Sequence, residues 1–306
     1  MKRILILSLA VILILGMAST GTFGLFSDTE TSVGNTFTAW VEEGCACYGF
    51  NVSDITQSNR RIFTYDVSDS SASFISFFDL DDTNSDPSGV ASVGDYIYVS
   101  DWSGKKVYKY DCCGNLLGVS KDLKRSGSSI ANPSGLAIDG DDMWVVAYGQ
   151  GIIIYHYSLS AAFSAGDEID ADLQIPYHED NTSPSGLAIN SADGYLYVPD
   201  IGENRFYRYD YLNYDPNNPP DSLATVSKIL VDTSSIPLYR PAGAMFDGTH
   251  LWIVDNRLAN NVNRAYKYDI DTLFPGSDTE TENALWEFDL YDDPNSNNDN
   301  IGSTGI

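Results

Sequence analysis

Three observations predict an all-β chain folded as a β-propeller of four-stranded antiparallel blades, with five blades visible. A motif of proline, a small residue and glycine returns four times. An aromatic and β-branched strand follows each copy, and a strictly alternating strand comes next, ending in Tyr and then Asp or Ser. Beyond an N-terminal apolar run, no stretch has helical periodicity.

The motif copies are Pro87-Ser88-Gly89, Pro133-Ser134-Gly135, Pro184-Ser185-Gly186 and Pro241-Ala242-Gly243, spaced by 46, 51 and 57 residues. Each opens a first strand, and a polar turn carrying Gly leads into the second (96–99, 143–146, 195–198 and 251–254). Third strands alternate at 107–110, 154–157, 206–209 and 265–268, and less regular fourth strands follow, for instance at 116–119 and 284–288. One such sheet cannot bury both of its faces alone, so the units must stack around an axis. This pattern is similar to NHL and SMP-30-like propellers, whose NHL blades are usually shorter.

Residues 48–80 supply strands matching the second, third and fourth of a blade (48–54, 61–66, 74–80), without a first. The segment Asn300-Ile301-Gly302-Ser303 resembles Asn132-Pro133-Ser134-Gly135. Either this terminal strand completes a five-bladed ring and removes exposed edges, or the chain is part of a larger propeller.

At the N-terminus, Lys2 and Arg3 precede an apolar run of about 13 residues, shorter than the roughly 20 that span a bilayer, and small residues follow. Such a pattern reads as a secretory signal. The stretch Gly24-Leu25-Phe26-Ser27-Asp28, continued by Asn35-Thr36-Phe37-Thr38-Ala39, resembles the SipW-dependent signal peptides of TasA-like and camelysin-like proteins. That resemblance implies cleavage near Gly24 and a home in the cell envelope or extracellular matrix. It ends at about residue 39, so the TasA-type sandwich does not follow from it. The expected organisation is a signal peptide at 1–24, a mature N-terminal arm at 25–44 and the propeller at 45–306.

Charge agrees with export and limits the partners. With 17 Lys and Arg against 43 Asp and Glu, the net charge is −26, which excludes nucleic acid and argues against anionic lipid. Membrane insertion after cleavage is not expected. Four cysteines, Cys45, Cys47, Cys112 and Cys113, suit an oxidising compartment. Adjacent cysteines rarely pair with each other, so two cross-links between the clusters are the favoured reading and a metal site is the rival. Asn51 and Asn181 begin glycosylation sequons.

Candidate chemistry is sparse. Asp101, Asp200 and Asp255, with Asp54 as a weaker match, end successive second strands. They read either as a carboxylate ring for calcium or as repeated turn residues accepting backbone N–H bonds; Ala147 interrupts the series. Of three histidines, His156 and His250 fall on repeat positions and only His178 sits in a loop of its own, so a three-histidine zinc site is not expected. Acidic loops at 79–86 and 289–300 read as solvated loops or weak calcium sites. Trp102, Tyr148, Glu203, Arg205 and Arg257 lie in or beside the loops after the second strands, on the face where the proline motifs enter, here called the top. Aromatic and Arg residues there suit contacts to a glycan or protein, or else blade-edge packing.

No nucleophile elbow, P-loop or dinucleotide fingerprint is present. The leading expectation is a non-catalytic binding or adhesion module of unassigned oligomeric state, secreted or at the cell surface, with a glycan or protein as partner. Two others stay open: a secreted SMP-30-like lactonase or propeller lyase with a divalent cation in the channel, and a matrix subunit that assembles by adding its N-terminal strand to a neighbour.

Overall fold

The computed structural model describes residues 29–32, 35–38, 49–54, 60–68, 71–149, 153–220, 223–255, 263–277 and 279–290. Backbone contacts divide the chain into two compact units, Met1–Cys45 and Ala46–Ile306. In the first, Thr29–Ser32 and Asn35–Thr38 pair as an antiparallel hairpin. No helix of the described residues is long and apolar enough to cross a membrane.

The second unit is a β-propeller. Its first blade has three described strands, Phe50–Asp54, Arg61–Ser68 and Ser71–Asp79. The second runs Pro87–Val93, Tyr96–Asp101, Lys106–Asp111 and Leu116–Val119, each strand antiparallel to the next. Asn132–Asp139, Asp142–Tyr148, Ile153–Ser158 and Leu173–Pro176 make the third. The fourth holds Ala188–Asn190, Tyr195–Asp200, Arg205–Asp210 and Thr225–Val226. Pro241–Phe246, His250–Asp255, Arg264–Asp269 and Trp286–Asp289 make the fifth.

Five separate cores identify the ring, one at each junction between neighbouring blades. Ile62, Val90 and Ile97 join blades one and two, and Tyr98, Leu136 and Val145 join two and three. Ala137, Val146 and Leu196 belong to the three–four junction, and Tyr197, Ala244 and Ile253 to the four–five junction. At the last junction Phe50, Val52 and Phe63 of blade one pack on Trp252, Val254 and Ala265 of blade five. Phe50 lies 5.5 Å from both Trp252 and Phe288, ring to ring. Thus the fifth blade meets the first. Burial follows the radius: second strands are buried almost end to end, whereas Leu116–Val119 alternates half-buried and exposed.

The proline motif has a physical reason at each of its positions. Between Pro87 and Val90, Pro133 and Gly135, and Pro241 and Ala244 the strand register shifts by a bulge. The bulge presses the glycines of adjacent blades together. A methyl on Gly89 would come 2.6 Å from the Leu136 nitrogen, one on Gly135 would come 2.5 Å from the Gly186 carbonyl carbon, and one on Gly186 would strike the Ala242 carbonyl. Only glycine fits such an approach. The serines bridge the same seams: Ser53 Oγ donates to the Ser88 carbonyl (2.9 Å), and Ser88 Oγ and Ser185 Oγ lie 2.8 and 3.0 Å from the Pro133 and Pro241 carbonyls.

A cross-strand pair also recurs on the blades. Lys109 faces Tyr98, His156 faces Trp144, Arg208 faces Tyr197 and Lys267 faces Trp252. The Lys109 ammonium sits 3.5 Å from the Tyr96 ring centroid, and the His156 ring lies 4.7 Å from that of Trp144, tilted by 53°. Blade one replaces the pair with Asn51 and Thr64, joined by a 2.7 Å hydrogen bond.

Two features depart from the sequence reading. One-turn helices, Leu159–Ala162 and Ile270–Leu273, follow the third strands of blades three and five. The repeat is also partly one of blade pairs. Asp122–Lys124 runs parallel to Glu168–Asp170, tying blade two to three at the rim, and Ile229–Val231 ties four to five against Thr281–Asn283. Ser120 and Ser227 each accept from a third-strand N–H at 2.8 Å, and Tyr157 and Tyr268 each donate to a rim carbonyl.

Candidate functional site

Asp101, Asp200 and Asp255, which end second strands, are fully buried. Asp101 accepts from the Ser85 N–H at 2.9 Å and the Gly104 N–H at 2.5 Å. Asp200 accepts from Ser183 (2.8 Å), Gly202 (2.7 Å) and Glu203 (3.0 Å), and Asp255 from Tyr239 and Arg240. Asp101 and Asp200 clamp the loop entering the first strand to the turn leaving the second, and Asp255 holds the entering loop of its blade. Among the described residues no group of three or more metal-ligating side chains lies together. Pairing of Pro133 with Ala147 matches that of Pro87 with Asp101, so Ala147 marks where blade three lacks the clamp. The side chain of Asp54 lies outside the described residues.

On the top face the entering loops surround a cavity of about 490 Å³. Ser88, Ser134 and Ser185 of the motif form part of its lining, and Trp102, Tyr148, Asp86, Ile201 and Arg240 complete much of the rest. Trp102 and Tyr148, from blades two and three, form a near-parallel pair with ring centroids 5.9 Å apart. Tyr148 is 43% exposed, with Tyr96 and Tyr239 one of three exposed tyrosines among the described residues. The backbone N–H of Trp102 donates to the Asp86 carbonyl at 2.7 Å, which fixes the start of that loop. Burial, reinforced by the neighbouring Asp101, pushes the Asp86 carboxyl above its usual range, and burial lowers the Lys105 ammonium. Lys105 reaches from the loop of blade two to the Trp102 carbonyl and to Asn132 at the entrance of blade three.

Of the residues expected at the rim, Trp102 and Tyr148 come together at this cavity. Glu203 is exposed, and its N–H is held by Asp200. Arg205 is elsewhere: it is 5% exposed, and its guanidinium donates to the Ser227 carbonyl at 2.6 Å and the Ser277 carbonyl at 3.0 Å. It fastens the rim connection between blades four and five rather than offering a surface contact. Arg257 lies outside the described residues, as do Cys45 and Cys47. Among the described residues no cysteine is free. Ile201 and Arg240 were not singled out from sequence, and Asp86 was read only as part of the acidic loop 79–86. Asp86 and Arg240 immediately precede motif prolines, and that position alone marks them.

The remaining candidates have structural partners. His156 Nε2 lies 2.9 Å from Asp142, His250 Nδ1 3.4 Å from Asp247 and His178 Nδ1 3.5 Å from Asp180. Both sequon amides are inside. Asn51 donates to Ser92 Oγ at 2.8 Å and Asn181 to Tyr209 Oη at 3.1 Å, each about 2% exposed or less, so neither is a glycan acceptor in the folded chain.

No family model matches the chain. No curated protein matches it either. Among solved structures it is similar to one in a nidogen/laminin complex, at 15% identity and a TM-score of 0.47, over 83% of this chain and 78% of that one. It is also similar to Myxococcus xanthus glutaminyl cyclase, at 13% identity and a TM-score of 0.43, over 62% and 68%. A third is Kuenenia stuttgartiensis hydrazine synthase, at 14% identity and 0.36, over 67% and 49%. The class is defined by the blades themselves: a β-propeller with a cavity where its entering loops meet.

Proposed function

We propose that this chain is an exported, non-catalytic binding module whose top-face cavity takes a saccharide. The paired rings of Trp102 and Tyr148 at the cavity carry the reading. An aromatic face offers apolar contact to the C–H face of a sugar, while serine hydroxyls, Asp86 and Arg240 offer polar contacts around it. A volume of about 490 Å³ suits one or two sugar rings, whereas a protein epitope needs a broad, flat surface. The use of Asp101, Asp200 and Asp255 as backbone clamps favours binding over the lactonase and lyase readings, which require a hard cation in the channel.

Export rests on the N-terminal pattern and the resemblance it carries. The pairing of Cys45 and Cys47 with Cys112 and Cys113 belongs to the same reading. A glycan array tests the binding. The mature chain is expected to retain a small set of saccharides, and Trp102→Ala to weaken them about 30-fold, the scale of a buried aromatic contact worth about 2 kcal/mol. Retention unchanged by Trp102→Ala and by Tyr148→Ala would remove the cavity from consideration.

A further inference from the structure

The arginines among the described residues are almost all committed. Arg60 pairs with Asp82, Arg61 with Asp79, and Arg264 with Glu287 and Asp289. Arg205 serves two carbonyls, Arg125 donates to Tyr155 Oη, and Arg208 lies over the rings of Tyr195 and Phe274. Arg240 is the exception. Among the described residues its guanidinium has no hydrogen bond, ion pair or ring contact, and it lines the top-face cavity.

That exception is informative because acidic partners are abundant, with 43 Asp and Glu in the sequence. The side chain is half-buried, and its backbone is fixed: the Arg240 N–H donates to Asp255 at 2.6 Å. A pre-positioned guanidinium presents a planar fork of donors that matches a carboxylate with two parallel hydrogen bonds. The two rings of Trp102 and Tyr148 line the same cavity.

We infer that the saccharide bound here carries a carboxylate: a uronic acid whose ring lies on the Trp102–Tyr148 pair and whose carboxylate is held by Arg240. This inference rests on the saccharide reading above. The negative charge of the protein as a whole opposes an anionic ligand at long range, so recognition depends on this local fork and strengthens as salt screens the rest of the surface.

The test uses the mature full chain and two probes, a galacturonate trisaccharide and its methyl ester, which has the same rings without the charge. By titration calorimetry the acid is expected to bind at least tenfold more tightly than the ester. In Arg240→Gln that preference is expected to vanish while ester binding stays, and Arg240→Lys is expected to restore only part of it. Since the Arg240 side chain bonds to nothing described, all three proteins are expected to melt at the same temperature. Equal binding of acid and ester to the unmodified chain overturns the carboxylate inference and leaves the saccharide reading standing. So does a preference that survives in Arg240→Gln. Binding of a sulfated trisaccharide as tight as that of the acid would show an anion site without carboxylate selectivity and overturn it too. Failure of every saccharide on the array and of both probes overturns both.

Discussion

Single residues at the axis carry tight constraints on the fold. Gly135 faces the backbone of Gly186 so closely that Gly135→Ala must push two inner strands apart, and overpacking of this kind costs about 1–3 kcal/mol. The prediction is a lowered melting temperature, against little change for Gly94→Ala, where a methyl meets nothing within 4 Å but the positive φ of 57° adds a small strain. Asp200→Ala leaves the N–H groups of Ser183, Gly202 and Glu203 without their acceptor and should cost about 3 kcal/mol. A chelator is expected to leave the melting temperature of the unmodified chain unchanged; a drop would return the calcium reading to the carboxylates. At this scale the sequence was partly legible. The recurrence of Asp101, Asp200 and Asp255 showed a position set by the repeat, and their structural use fits that. Arg205 could not be read: it begins a third strand, and whether such a side chain leans outward or under a neighbouring connection depends on the Ser227 and Ser277 carbonyls from distant sequence.

Among the elements, the seam between blades one and five is the one that no local sequence pattern announces. Phe50 joins Trp252 and Phe288 there, so Phe50→Ala should cost about 3–5 kcal/mol, as large aromatic truncations in a core do. Denaturant midpoints check this; a loss below 1 kcal/mol would mean that the seam contributes little. Strand alternation made the second and third strands readable, because hydrophobic residues on both faces of 96–101 or 195–200 demand burial between neighbours. The rim pairings were not readable. Ile229–Val231 meets Thr281–Asn283 through backbone bonds between segments too short to show a period. Unequal motif spacings of 46, 51 and 57 likewise hid the blade-pair repeat.

Over the whole molecule, buried tyrosines make stability depend on pH at the alkaline end. Burial pushes Tyr197 up to about 12 and raises Tyr110, Tyr157, Tyr209 and Tyr268 further. Their unfolded value is about 10. Below that pH both states keep the phenol protons and no stability is lost. Above it the unfolded chain releases protons that the folded chain holds, so stability falls as pH rises toward the folded values. Most of the phenolate absorbance should therefore rise in one cooperative step together with unfolding; ionisation of all the tyrosines near pH 10 in a folded protein would contradict the burial. The ring also explains why the cavity was only half legible. Trp102 and Tyr148 stand out as aromatics beside repeated turns, and Asp86 meets Trp102 within blade two, whereas Arg240 joins the same cavity only after blades two and five are brought around one axis.

The most direct measurement follows the emission of the tryptophans while the saccharide retained on the array is titrated into the mature chain and into Trp102→Phe. A ring laid against the Trp102–Tyr148 pair predicts a saturable change in the unmodified chain that is absent from Trp102→Phe at comparable affinity. The same spectral change in both proteins would place the ligand elsewhere and contradict the account.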